Sequence, residues 1–141
     1  MKKLEKVEWV IAEGNDVSDC GWDMLSRSSS LRELKVKIGA ACKFQDEGLH
    51  SLSKINSSIP LERLIFEIGE GNETTDGGWG SFLGNIIPDK MLEMKLIVGK
   101  YNECGEKSLE KFAKTLETST ALEHFTLVFQ GENKTDQTSF A

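Results

Sequence analysis

Five short stretches of the chain repeat one arrangement of apolar positions: Leu4, Val7, Trp9 and Ile11; Leu31, Leu34, Val36 and Ile38; Leu61, Leu64, Phe66 and Ile68; Met91, Met94, Leu96 and Val98; and Leu122, Phe125, Leu127 and Phe129. Their starts are separated by 27, 30, 30 and 31 residues. Over its last five residues the pattern alternates apolar and intervening positions, as a strand with one buried face does. The spacing therefore predicts five strands near residues 7–11, 34–38, 64–68, 94–98 and 125–129. Trp9, Val36, Phe66, Leu96 and Leu127 are expected to form one continuous buried row.

A second set of positions recurs in the same register. Eleven residues after each segment start stand Asn15, Cys42, Asn72, Asn102 and Asn133, and small residues follow later at Gly21, Gly48, Gly78, Ser108 and Ser139. Each of these small residues precedes a large apolar one: Trp22, Leu49, Trp79, Leu109 and Phe140. Leu25, Leu52, Phe82 and Phe112 come three residues further on, and Ile55, Ile86 and Leu116 continue the stripe, which is helical spacing. Asp19, Asp46, Asp76 and Glu106 stand where a carboxylate suits a helix start, so helices are expected to begin near residues 20, 47, 77 and 106. A helix of about three turns or fewer then supplies each crossover that a parallel sheet needs. One such unit buries its apolar face only against a neighbour, so the units are expected to stack.

The combined pattern, four apolar positions, then an Asn, then an acidic residue, a Gly and a large apolar residue, resembles the ribonuclease-inhibitor-like class of leucine-rich repeats. The segment Asn15-Asp16-Val17-Ser18-Asp19-Cys20-Gly21 is similar to the N-x-I-S-D-x-G found in the long-strand variants of single-celled eukaryotes. The resemblance covers essentially the whole chain. It implies an α/β leucine-rich-repeat solenoid, a horseshoe arc with a parallel β-sheet on the concave face and helices on the convex face. Residues 1–141 form one domain on this reading, with repeats at about 4–30, 31–60, 61–90 and 91–121 and a partial one at 122–141. Two departures stand out. Repeats two to four are slightly long for the class, and the position two after the Asn column (Val17, Phe44, Thr74, Cys104, Thr135) is not reliably apolar. The class spans inhibitors, receptors, regulators and structural subunits, so the likeness speaks to fold more than to function.

Within the register, the eye-catching residues have structural explanations. The Asn column is expected to hydrogen-bond turn amides of adjacent repeats, and Cys42 fits the N/C alternative at that place. The glycine-rich stretch from Gly69 to Gly80 lacks the G-K-[ST] ending of a phosphate loop and reads as the turn and helix start of the third repeat. Cys20, Cys42, Cys104, His50 and His124 show no ligand-like spacing, and no nucleophile elbow is present. Trp9, Trp22 and Trp79 all occupy template positions and are expected in the core. No catalytic residue, cofactor site or metal site is read, and the chain is expected not to be an enzyme.

The residues between the template positions point to the opposite face of the sheet. One row is Glu8, Lys35, Ile65, Lys95 and Thr126; the next is Val10, Lys37, Glu67, Ile97 and Val128; Lys6, Glu33, Arg63, Glu93 and His124 flank them. The two main rows are the candidate partner-binding residues. Ile65, Ile97 and Val128 cluster in the C-terminal half amid Lys and Glu, as interaction surfaces do. β-branched residues also simply suit strands. The interaction reading is preferred because repeat arrays commonly use this surface.

Composition narrows the partner. A net charge of −6 disfavours nucleic acid and anionic membrane, which need clustered Lys and Arg. No apolar run approaches the ~20 residues of a membrane span, and no apolar run after Lys2-Lys3 makes a signal peptide. Three scattered cysteines suit a reducing compartment, so a cytoplasmic location is expected, with the N-x-[ST] triplets at Asn56, Asn72 and Asn133 unglycosylated. The expected function is a non-catalytic module that binds another protein through the concave sheet face. The alternative is a structural subunit embedded in a larger cytoskeletal, ciliary or organellar assembly. Neither end carries a recognisable cap, and Phe140 falls where a fifth helix would start. A longer array, or self-association through the uncapped ends, is therefore also an expectation.

Overall fold

The computed structural model describes residues 5–17, 30–59, 61–87, 89–117 and 121–130. Five strands, β1 (Lys6–Ile11), β2 (Glu33–Ile38), β3 (Arg63–Ile68), β4 (Glu93–Val98) and β5 (His124–Phe129), form one parallel sheet in chain order. Helices α1 (Asp46–Ser58), α2 (Asp76–Gly84) and α3 (Glu106–Glu117) connect β2 to β3, β3 to β4 and β4 to β5. The fold is thus α/β. The strands end at the residues the alternation predicts and begin one residue earlier. The helices start within one residue of expectation, and α1, at 13 residues, runs past three turns. The helix expected near residue 20, with Trp22 and Leu25, lies outside the described residues, as do Cys20, Asn133, Phe140 and the side chain of Ile55.

Register follows the repeat. Val7 pairs with Leu34, Leu34 with Leu64, Leu64 with Met94 and Met94 with Phe125. In the expected core row, Val36, Phe66 and Leu96 are completely buried, while Trp9 and Leu127 on the outer strands are partly buried and pack on the same core. The helices cover this face: Phe66 meets Trp79 and Phe82 edge-on, with ring centroids 5.7 and 5.0 Å apart. Each such buried side chain contributes on the order of 1.5–3 kcal/mol. Val17, Phe44, Thr74 and Cys104, the column of mixed polarity, are all buried. Thr74 is accommodated because its hydroxyl donates to the Asn102 carbonyl (2.7 Å) and accepts from Trp79 Nε1 (3.0 Å).

The turns that leave the strands must stack as closely as the strands do, and two columns meet that constraint. Asn72 Oδ1 accepts from the buried amides of Cys42 (3.0 Å) and Phe44 (3.1 Å), and its Nδ2 donates to the carbonyls of Gly39 and Gly69 (both 3.1 Å). Asn102 repeats this one unit on, accepting from the Asn72 amide (3.2 Å) and donating to the carbonyls of Gly69 and Gly99 (both 2.9 Å). Cys42 takes the same place with a weaker donor, its Sγ 3.2 Å from the Ala12 carbonyl. Asn72 and Asn102 therefore bridge neighbouring turns as expected, whereas Asn15 donates within its own turn, to the Ala12 carbonyl (3.0 Å). The second column, Gly39, Gly69 and Gly99, is one the apolar pattern does not reveal. A Cβ on Gly69 would lie 2.5 Å from the Ala40 nitrogen, and one on Gly39 2.5 Å from the Glu13 nitrogen.

Asp46 and Asp76 stand in the first turns of α1 and α2 as expected, but their hydrogen bonds go to the next unit rather than to their own helix. Asp46 reaches the following unit, where its Oδ1 accepts from the Thr75 amide (2.7 Å) and its Oδ2 from the Thr75 hydroxyl. Asp76 likewise accepts from the Gly105 amide (2.7 Å) and the Ser108 hydroxyl (2.5 Å). Thr75, the N-cap of α2, makes no side-chain capping bond of its own. The physical reason is proximity: the start of the next helix lies within reach of a short side chain, and its amides have no partner inside their own helix.

Two substitutions test this construction. Asn72→Ala strands two buried amides and the Gly39 carbonyl, while the Gly69 carbonyl keeps the Asn102 carboxamide, and is expected to lower stability by about 3 kcal/mol or more. The urea midpoint should fall with an unchanged slope. Gly69→Ala is expected to destabilise by about 1–3 kcal/mol because backbone must move. Gly77→Ala, whose Cβ would meet only Thr75 Oγ1 at 3.8 Å, should be neutral or stabilising by up to about 1 kcal/mol.

Candidate functional site

The face turned away from the helices carries the rows read from the sequence, and the pairing places them side by side. Glu8, Lys35, Ile65, Lys95 and Thr126 are successive register partners, as are Val10, Lys37, Glu67, Ile97 and Val128. On the three inner strands these side chains are half-buried among their neighbours, and on β1 and β5 they are exposed. Ile97 and Val128 are direct partners across β4 and β5, and Ile65 sits diagonally from Ile97. Val128 is 41% exposed. Val10, 66% exposed on β1, lies three strands from Ile97 and does not join them. The apolar patch therefore consists of Ile65, Ile97 and Val128.

The charges on this face are arranged by the strand spacing. Lys6 pairs with Glu33 (3.3 Å), Lys35 with Glu8 (3.1 Å) and Arg63 with Glu93 (3.5 Å), each across neighbouring strands. Glu67 is shared: Lys37 and Lys95 approach its Oε2 from either side, at 3.6 and 3.7 Å. At the N-terminal edge of the sheet, Arg32 grips Glu62 with two hydrogen bonds of 2.5 and 2.9 Å. The hydrogen bond from Arg32 holds the Glu62 carboxyl below its ordinary range and, reciprocally, raises the guanidinium. A cavity of about 300 Å³ lies here, walled by charged residues including Glu5, Arg32, Glu62 and Arg63.

At the opposite edge the glycine column opens a depression of about 310 Å³. Its floor is Gly39, Gly69 and Gly99, with Lys37, Glu67 and Ile97 along one side. The apolar template missed this feature because it registers apolar side chains, and the glycines that line the depression fall outside it. The recurrence of glycine directly after Ile38, Ile68 and Val98 was the available signal.

The residues weighed for chemistry stay apart. His50 is exposed on α1 and His124 is exposed on β5, whereas Cys42 and Cys104 are buried. Burial, and secondarily the charge of Asp76, pushes the Cys104 thiol far up, away from the thiolate that nucleophilic chemistry needs. Among the described residues no three His, Cys, Asp or Glu side chains gather as metal ligands would. The stretch from Gly69 to Gly80 is a turn followed by the start of α2, its Asn72 and Thr74 committed to neighbouring backbone. No helix among the described residues is long and apolar enough to cross a membrane. No protein-family model matches the chain, and no curated protein is significantly similar to it.

The Arg32–Glu62 pair makes a pH prediction. Because the folded carboxyl binds its proton less tightly than the unfolded one, its contribution is present above the ordinary Glu range. It is lost as pH falls through the lowered folded value. The pair faces solvent, so that contribution is small. NMR titration of the Glu62 carboxyl should give a midpoint below that of an ordinary Glu, and Arg32→Leu should move it upward. An unmoved midpoint would show that the guanidinium is not its cause.

Proposed function

We propose that the chain is a leucine-rich-repeat solenoid of the ribonuclease-inhibitor-like class whose concave sheet face binds another protein without catalysis. The observation that carries this reading is a sheet face that none of the described helices covers, bearing an apolar patch inside a frame of ion pairs. Core positions spend their apolar side chains on the helices, whereas Ile65, Ile97 and Val128 turn theirs outward, where a partner gains by covering them. The stacking of strand, turn and helix at a near-constant spacing, with an Asn bridging the turns, supports the class. A cytoplasmic location remains the expectation from the number and spacing of the cysteines. A second reading, a subunit fixed within a larger assembly, draws on β5, where Phe125 is 42% exposed although it occupies a core-template position.

Affinity capture from native lysate with quantitative mass spectrometry tests the face. The double variant Ile65→Glu with Ile97→Glu is expected to lose the captured protein while its thermal midpoint stays within a few degrees of the parent. Undiminished capture would move the contact to the helices or loops and leave the outward aliphatics as ordinary strand composition.

A further inference from the structure

We infer that the occupant of this face is an acidic peptide segment, with a carboxylate seated between Lys37 and Lys95 and neighbouring large apolar side chains on Ile97 and Val128. This rests on the reading of the face as a protein-binding surface and adds the chemistry of the partner. The chain as a whole is acidic, at −6. Its outward sheet face is not. Three of its cations have a carboxylate each, in the pairs Lys6–Glu33, Lys35–Glu8 and Arg63–Glu93. Lys37 and Lys95 have one between them.

The geometry of that shared contact matters more than the tally. Both ammonium groups address the same oxygen, Glu67 Oε2, at 3.6 and 3.7 Å. These distances are too long for hydrogen bonds, so neither lysine commits a donor to Glu67. A second carboxylate brought in by a partner would face both ammoniums and complete an alternating square of two cations and two anions. The lysine side chains are 41% and 36% exposed, so they are accessible from solvent.

The surroundings select an acid that carries apolar neighbours. Glu67 is the register partner of Ile97, Lys95 of Ile65, and Ile97 of Val128, so the cationic surplus borders the apolar patch directly. The depression over Gly39, Gly69 and Gly99 begins at Lys37 and Ile97 and, at about 310 Å³, suits side chains of a segment more than a large ligand. A polyphosphate chain fits poorly, because the carboxylates of Glu8, Glu33, Glu67 and Glu93 are interleaved with the cations across the face.

Fluorescence anisotropy with the full chain and three labelled peptides, in which leucine alternates with glutamate, serine or lysine, tests the assignment. The glutamate peptide is expected to bind about tenfold more tightly than the serine peptide, and to weaken as salt is raised. Lys37→Met with Lys95→Met should bring it to the level of the serine peptide. Glu67→Gln should act in the opposite direction, tightening it about threefold or more, because both ammoniums lose their counter-ion. Equal or absent binding of the three peptides, a weakening by Glu67→Gln, or displacement of the glutamate peptide by an equal concentration of oligonucleotide would overturn the inference. Suppose Ile65→Glu with Ile97→Glu abolishes lysate capture but the charge variants alter neither capture nor peptide binding. The face then remains the binding surface and the acidic partner is refuted. Capture indifferent to both sets of variants refutes the face itself.

Discussion

Everything in this protein depends on stacking turns at the spacing of hydrogen-bonded strands. Parallel strands lie ~4.8 Å apart, so the loops that leave them must pass one another at nearly the same distance, with backbone amides and carbonyls turned into a space that water does not fill. Such groups are costly when left unpaired. Asn72 and Asn102 answer four or more of them each, in two neighbouring units at once, because a carboxamide both accepts and donates. Gly39, Gly69 and Gly99 answer the steric half of the same constraint. The left-handed backbone at Gly14, Ala41, Gly71 and Tyr101, immediately before the Asn column, supplies the bend. Glycine holds that conformation without strain, whereas Ala41 and Tyr101 accept it against a Cβ penalty.

The site inherits its properties from this scaffold. Glycine follows each of the three inner strands, and there the sheet face meets a depression beside Lys37, Glu67 and Ile97. Because each strand sits in register with the next, a residue placed every 30 or so positions becomes one of a row. Charge alternation along the rows then becomes ion pairing across strands, as in Lys6–Glu33 and Lys35–Glu8. Exposed pairs of this kind add little stability. Their larger consequence is local: where a carboxylate is shared rather than owned, as at Glu67, the face keeps electrostatic capacity for something else.

Cross-unit contacts also explain why the helices can be short. α2 has nine residues and an N-cap threonine without a side-chain bond to its own helix. Its start is held from outside, by Asp46 of the preceding unit, as that of α3 is held by Asp76. A helix of this length is marginal in isolation. Here it is stabilised by Trp79 and Phe82 packed on Phe66, and by a carboxylate that arrives from its neighbour.

By itself the sequence determined the strands, their order of pairing, the core row, the starts of α1, α2 and α3 and the outward identity of the rows from Glu8 to Thr126 and from Val10 to Val128. Those features are readable because the repeat period equals the distance along the chain between neighbours in space, so a one-dimensional alternation states a two-dimensional register. Only the tertiary structure decided that Asp46 and Asp76 serve the next unit, that a depression lies along the glycine column, and that Lys37 and Lys95 share Glu67. Each of these turns on clearances and side-chain reach of a few ångströms between units. Apolar periodicity carries no information about such distances.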